Sequence, residues 1–276
     1  MTGTLPHPDA LLTAVRAGTR VIDLAQPLHS KVPHSPNQPG FQYALIRRHG
    51  DIVRSDGGSA ANDLLVTGAH TGTHVDALAH VSHAGLLYGG VDAASAQSST
   101  GFSSHGIETL EPIITRGVLL DVAAAAGVGR LAPGQGVTVS DLADAAGRAD
   151  VEIQSGDAVI IRTGWGQLWH DPAGFTGAGL GVPGPTEEAA RWLADAGIRI
   201  TGSDTTAYEQ ISAEHGHGLL PVHRLMLVER GIPIVEMLNL EELSASGIHE
   251  FTFVLTPLRI VGATGSPVRP LAVISR

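Results

Sequence analysis

The segment His70–His80, HTGTHVDALAH, places three imidazoles and one carboxylate within eleven residues. The chain has no cysteine, so any metal must be held by His, Asp, Glu or water. Imidazole with carboxylate suits zinc, manganese or iron(II). The zincin pattern HExxH does not fit, because position 71 is Thr. On a straight strand His70, His74, Asp76 and His80 would share a face but spread over about 33 Å. A straight helix would stack His70 on His74 and turn Asp76 away. The chain must therefore bend, and Gly72 is the residue that permits it. The expectation is a curved strand or loop that wraps His70, His74 and Asp76 around one point. The competing reading is a loop of satisfied polar residues.

The flanking sequence must supply the elements that hold this bend. Residues 8–17 read as a short helix opened by Pro8-Asp9, and 21–28 as a strand ending at Pro27. Residues 29–42 are rich in Pro, Ser and Asn and read as a loop. Strands are expected over 41–50 and near 63–67, with a turn at Gly57-Gly58. GVLLDVAAAAG (117–127) starts as a buried strand. Residues 137–149 carry a helix start with Ser140 as N-cap. Residues 156–165 read as a strand running into a loop, and 174–186 as a Gly-rich loop that could cover a site. TEEAARWLADAG (186–197) is the clearest helix, capped by Thr186 and ended by Gly197. Strands follow at 197–204, 232–238 and 271–274, with 251–263 a long strand or a bent pair around Pro257, and a helix over 222–231 ended by Gly231. Strands outnumber helices and the two alternate late in the chain. That pattern predicts an α/β or α+β fold with a mixed sheet. No repeat or linker divides the sequence, so residues 1–276 read as one domain.

Composition narrows the partners. A chain of 276 residues with 43% hydrophobic and 16% charged residues can bury a large core. Its formal charge of −10 argues against nucleic acid, which needs clustered Lys and Arg. No apolar run approaches the ~20 residues of a membrane span. The first residues do not look like a signal peptide, so a cytoplasmic location is expected. The expected partner is a small-molecule substrate.

HTGTHVDALAH also resembles the HxGTHxDxPxH signature of the metal-dependent cyclase family. That family includes bacterial kynurenine formamidases, isatin hydrolases and a trans-dienelactone hydrolase. VIDLAQPL (21–28), IRTGW (161–165), TGSDT (201–205) and PVHRLMLVERGIPIVEMLNLEEL (221–243) resemble further family segments in the same order. The family has Pro where this chain has Leu78, which leaves the ligand positions intact and alters the local backbone. The resemblance implies a mixed β-sheet or small barrel-like core flanked by helices, of the swivelling β/β/α kind. It implies homodimers or homotetramers, and the Pro-rich 27–39 stretch could be an arm reaching a neighbour.

The resemblance also implies roles. His70, His74 and Asp76 become metal ligands, with Asp76 a possible bridge between two ions. His223 and Glu236 match the late residues that complete a second metal position. His215 and His217 lie nearby as weaker candidates. His80 matches the proton-transfer histidine, a role its near-neutral intrinsic pKa suits. His83 reads as a bystander. One or two Zn²⁺ or Mn²⁺ ions are the expected cofactor. The implied chemistry is attack of metal-activated water on an amide, lactam or lactone, with His80 moving the proton. Thr73 could orient a ligand or the oxyanion. Phe41, Tyr43, Trp165 and Trp169 could stack on a flat substrate. A biosynthetic cyclase or lyase using the metal as Lewis acid is a second reading. A non-catalytic protein that binds a metal or small ligand is a third.

Overall fold

The structure, a computed structural model, describes residues 10–35 and 38–275. Pro8 and Asp9 lie outside the described residues; the helix they were expected to open runs Ala10–Ala17. Nine strands form one mixed sheet: β1 (Thr19–Asp23), β2 (His74–Asp76), β3 (Ile113–Asp121), β4 (Ala158–Arg162), β5 (Ile200–Ser203), β6 (Ile234–Glu236), β7 (Glu250–Leu255), β8 (Gly265–Pro267) and β9 (Leu271–Ser275). Their order is β1-β9-β7-β3-β4-β5-β6-β2-β8. The central pairs β3–β4, β4–β5 and β5–β6 are parallel, and the outer pairs are antiparallel. The β4 sequence AVIIR is buried at every position, as a strand covered on both faces requires.

The sheet curls into a half-barrel for a reason of chain length. β8 ends one margin and β9 lies second from the other. Only Val268, Arg269 and Pro270 join them, a link of at most about 15 Å. Seven strand spacings in a flat sheet would need about 34 Å. The margins do meet. Leu24, just past β1, accepts from the Asn239 N–H at 2.9 Å, and Ala25 bridges Leu238 just past β6.

The period-2 alternation of the strands feeds two cores. Val118, Leu120, Val159 and Ile161 pack against Leu142, Ala145, Ala189 and Leu193 of helices Val139–Ala149 and Glu187–Asp195. Leu119, Ile160 and Ile200 point the other way and pack with Ile22, Val235 and Phe253. Thr186 caps its helix as expected. At the other helix the cap is Thr138, not Ser140. Thr138 Oγ1 accepts from the Asp141 N–H and the Asp141 carboxylate accepts from the Thr138 N–H. This reciprocal box satisfies two end donors and outcompetes a cap two residues later.

Two late elements differ from the periodicity. The helix expected over 222–231 is a short α turn, Pro221–His223, followed by a π-helical stretch, Arg224–Arg230. The strand beginning near 251 ends at Leu255, before Pro257. Among the described residues no helix is long and apolar enough to cross a membrane.

Candidate metal centre

Gly72 makes the bend the sequence demanded. It has φ +69°, and a Cβ there would lie 2.4 Å from Leu28 Cδ2. The turn leads directly into β2, whose three residues His74, Val75 and Asp76 are all buried. β6 lies antiparallel beside it, with Glu236 opposite His74. Glu236 therefore reaches the histidine motif through sheet register, across 162 residues of sequence. His223 ends the α turn, immediately before the π-helical stretch. Such wide, under-wound turns often mark functional positions.

Three histidines are held in the same manner. His70 Nε2 bonds Thr264 Oγ1 at 2.9 Å, and its Nδ1 sits 2.7 Å from Asp76 Oδ1. The Gly72 carbonyl holds His74 Nδ1 at 2.8 Å, leaving Nε2 3.4 Å from both Asp76 Oδ1 and Glu236 Oε2. Glu209 Oε1 holds His223 Nδ1 at 2.7 Å, leaving Nε2 3.2 Å from Glu236 Oε1 and 3.6 Å from Asp76 Oδ2. One nitrogen of each ring is fixed by an outer partner and the other faces the carboxylates. That is how ligating imidazoles are oriented. The outer partners Thr264 and Glu209 escape sequence reading. They lie far from the motif in sequence, and neither carries a spacing signal.

The electrostatics describe a site short of positive charge. Burial opposes ionisation of Asp76, but the surrounding histidines outweigh it and hold its carboxyl well below the usual range. Burial opposes protonation of His74 and His223, yet Asp76 and Glu236 raise both, with Glu209 adding to His223. Even so, Asp76 Oδ2 and Glu236 Oε1 are buried with no hydrogen-bond donor. Orphaned carboxylate oxygens are costly unless a cation meets them. Ligand atoms of His70, His74 and Asp76 lie within 4.8 Å of one another, as do those of Asp76, His80 and His223. Asp76 is common to both groups. The donor set, imidazole and carboxylate without thiolate, fits a zinc- or manganese-type ion.

His80 stands apart from the other rings. It stacks on His70 with centroids 3.9 Å apart. Burial, reinforced by the neighbouring imidazoles, pushes it down to about 4 against the pull of Asp76. It is therefore neutral at physiological pH, with a lone pair able to accept a proton.

A cavity of ≈ 210 Å³ opens over the cluster. Its wall contains His70, His74, His80, His223 and Glu236 together with Ser35, Gln38, Thr206, Ala207, His217, Leu220 and Met237. Of the Pro-rich stretch, Ser35 and Gln38 are the described residues that line this cavity. His217 faces the cavity; His215 instead bonds Ser212 and His83 bridges Leu86.

The aromatic residues are placed elsewhere. Trp165 and Trp169 are 2% exposed, and their indole N–H groups donate to the carbonyls of Phe175 and Pro27. They form an apolar layer with Met237, against which Phe41 packs. Tyr43 is 51% exposed on a separate hairpin, Gln42–Arg47 with Asn62–Val66. None of the four lines the cavity. Buried indoles gain more from core packing and a backbone acceptor than from a wet cavity wall. Thr73 is likewise structural. Its hydroxyl donates to the Met237 carbonyl at 2.6 Å and accepts from the Gln26 N–H at 2.9 Å. It ties the turn before β2 to the loop after β6. The 174–186 loop buries Phe175 and Val182 in the core and contributes no cavity residue.

The family described as "Putative cyclase" matches residues 22–210. An isatin hydrolase of Roseibium aggregatum is 31% identical over 128 residues, 45% of this chain and 48% of that protein. That alignment spans about half the length of either. A kynurenine formamidase of Bacillus cereus is 25% identical over 252 residues, covering 90% of this chain and 94% of the relative. A crystal structure described as a novel cyclase superposes with a TM-score of 0.84 at 29% identity, covering 96% of this chain and 93% of its own.

Proposed function

The chain belongs to the family described as "Putative cyclase", and from that premise we propose that it is a metal-dependent hydrolase of a compact cyclic or aromatic amide or lactone. The observation that carries this reading is the pair of orphaned buried oxygens, Asp76 Oδ2 and Glu236 Oε1, set among oriented imidazoles. His70, His74 and Asp76 would hold one ion, and His223 with Glu236 would complete a second position. An ion there supplies Lewis acidity toward an acyl oxygen and toward water.

The chain's own residues do the rest. Gly72, Thr264 and Glu209 keep the ligating nitrogens aimed inward. His80, neutral and beside the cluster, accepts a proton from the attacking water and returns it to the leaving nitrogen or oxygen. Leu220, Met237 and Ala207 give the cavity an apolar side for a ring. Its described wall holds no Lys or Arg, which favours an uncharged substrate over one anchored by its own carboxylate. The relatives' names, isatin hydrolase and kynurenine formamidase, both denote hydrolases.

The test is a panel of isatin, N-formylkynurenine and a dienelactone with zinc- or manganese-loaded protein. Release of carboxylate product from one of them, abolished by a chelator, is the expected result. A fully loaded protein that cleaves none of the three would count against the hydrolase reading.

A further inference from the structure

The hairpin Gln42–Arg47 with Asn62–Val66 stands outside the architecture that holds the rest of the chain. Its two strands pair only with each other. Every residue of both strands is exposed. Yet Tyr43, Leu45, Ile46, Leu64, Leu65 and Val66 are large hydrophobic side chains, each between 47% and 62% exposed. In register, Tyr43 lies opposite Leu65, and Ala44 opposite Leu64. Neighbouring residues of a strand point to opposite faces, so both faces of the hairpin are apolar. An ordinary surface hairpin buries one of them. None of the six side chains enters the three cores. Among the described residues, neither outer edge of the hairpin is paired. The hairpin leaves the body between Gln38, in the cavity wall, and His70, the first residue of the histidine motif.

A two-stranded hairpin is marginal in water and needs further strands or a packed partner. Six half-exposed side chains present on the order of 500 Å² of apolar surface, as much as the largest patch on a typical monomer. Free strand edges also template pairing with another chain. We propose that the hairpin is an arm that docks on a second copy of this chain. Each partner in a stable complex brings about 800 Å², and the side chains of the arm alone supply more than half of that. A cover is needed whenever the chain is folded, and the partner present at every such moment is the chain itself. Charge points the same way. Between residues 42 and 66 three Arg and three Asp cancel, so the net charge of −10 lies outside the arm. A basic partner would be drawn to that acidic body, whereas a neutral arm lies against an acidic copy without repulsion. A two-fold axis then covers both arms in one contact. The contact holds whatever reaction the metal centre performs.

The test combines analytical sedimentation with amide hydrogen exchange, on the whole chain and on a Leu64→Lys, Leu65→Lys double variant. The two lysines charge both faces of the arm at positions that a monomer leaves in water, where they cost it little. The wild type is expected to sediment at twice the chain mass or more, with the amides of 42–47 and 62–66 protected. The variant is expected to sediment as a single chain. Its central-sheet amides stay protected while those of the arm exchange about tenfold faster or more. A wild type that sediments as a single chain at every concentration overturns the proposal. So does a variant that keeps the wild-type mass, which would place the contact between copies elsewhere. Should the variant not fold, serial dilution of the wild type decides. Arm protection that falls as the mass falls supports the contact, and protection that persists in the single chain overturns it.

Discussion

Two buried charge clusters lie in this molecule, and they are built on opposite principles. Arg162, 6% exposed, binds Asp121 through Nη1 at 2.9 Å and Glu241 through Nε and Nη2 at 2.9 Å each. Asp121 also accepts from the Ala124 N–H and the Ser244 hydroxyl. There a permanent cation meets both carboxylates. In the second cluster, Asp76 and Glu236 meet only imidazoles, which must borrow protons to become cations. Two of their oxygens, Glu236 Oε1 and Asp76 Oδ2, lie 3.2 and 3.6 Å from His223 Nε2 without a hydrogen bond. The first cluster is a closed structural brace. The second gathers groups that could hold a metal ion and leaves two carboxylate oxygens without a hydrogen bond.

Breaking each cluster should therefore give different failures. The largest effect is expected from Asp76→Ala. It should remove metal and lower kcat/KM by about a thousandfold or more, since Asp76 is shared by both ligand groups. Metal analysis and steady-state kinetics check this. Arg162→Met should instead destabilise the fold by about 3 kcal/mol, because the buried Asp121 carboxylate loses its cation, and the part-exposed Glu241 loses it with little further cost. Denaturant unfolding would show it, while metal bound per folded molecule stays at the wild-type value. Activity loss greater than stability loss in that variant would erase the distinction between the clusters.

Glu209→Gln should be milder than loss of a ligand. It weakens the hold on His223 and should cost about 10–100-fold in metal affinity. Competition with a chromogenic chelator measures it.

The smallest effect is a proton count. The carboxylates raise His74 above the ordinary imidazole value and His223 well above it, so the metal-free protein keeps protons there to higher pH than free imidazoles would. Their pairing stabilises the metal-free fold fully below about pH 6.5 and is lost as pH climbs through the raised values. A metal must displace those protons, so its binding should release about one or more per ion and should strengthen as pH rises. Titration calorimetry in buffers of different ionisation enthalpy reads this directly. Metal affinity that does not change with pH would mean the histidines are not ligands.

The comparison also explains what the sequence could reveal. The bend at Gly72 was legible because four chemical groups at those spacings cannot converge on a straight element. The alternating apolar strands and the Thr186 cap were legible because period and cap chemistry are local. The half-barrel was foreseen only through the family resemblance, as a barrel-like core, because its closure depends on how a three-residue link joins distant margins. Glu236 and His223 came into view only through family resemblance; register and a π-helical turn bring them to Asp76. Glu209 and Thr264 were invisible for the same reason. Depth is not legible in ring type: Trp165 and Trp169 have backbone acceptors in the core. Nor is the role of the Thr73 hydroxyl, which joins two loops.

If the second cluster holds a cation, elemental analysis of purified wild type beside His74→Ala will show it. About one or two equivalents of zinc or manganese are expected in the wild type, largely lost in the variant while its fold persists. Wild-type protein that binds no transition metal, even after reconstitution, would contradict it.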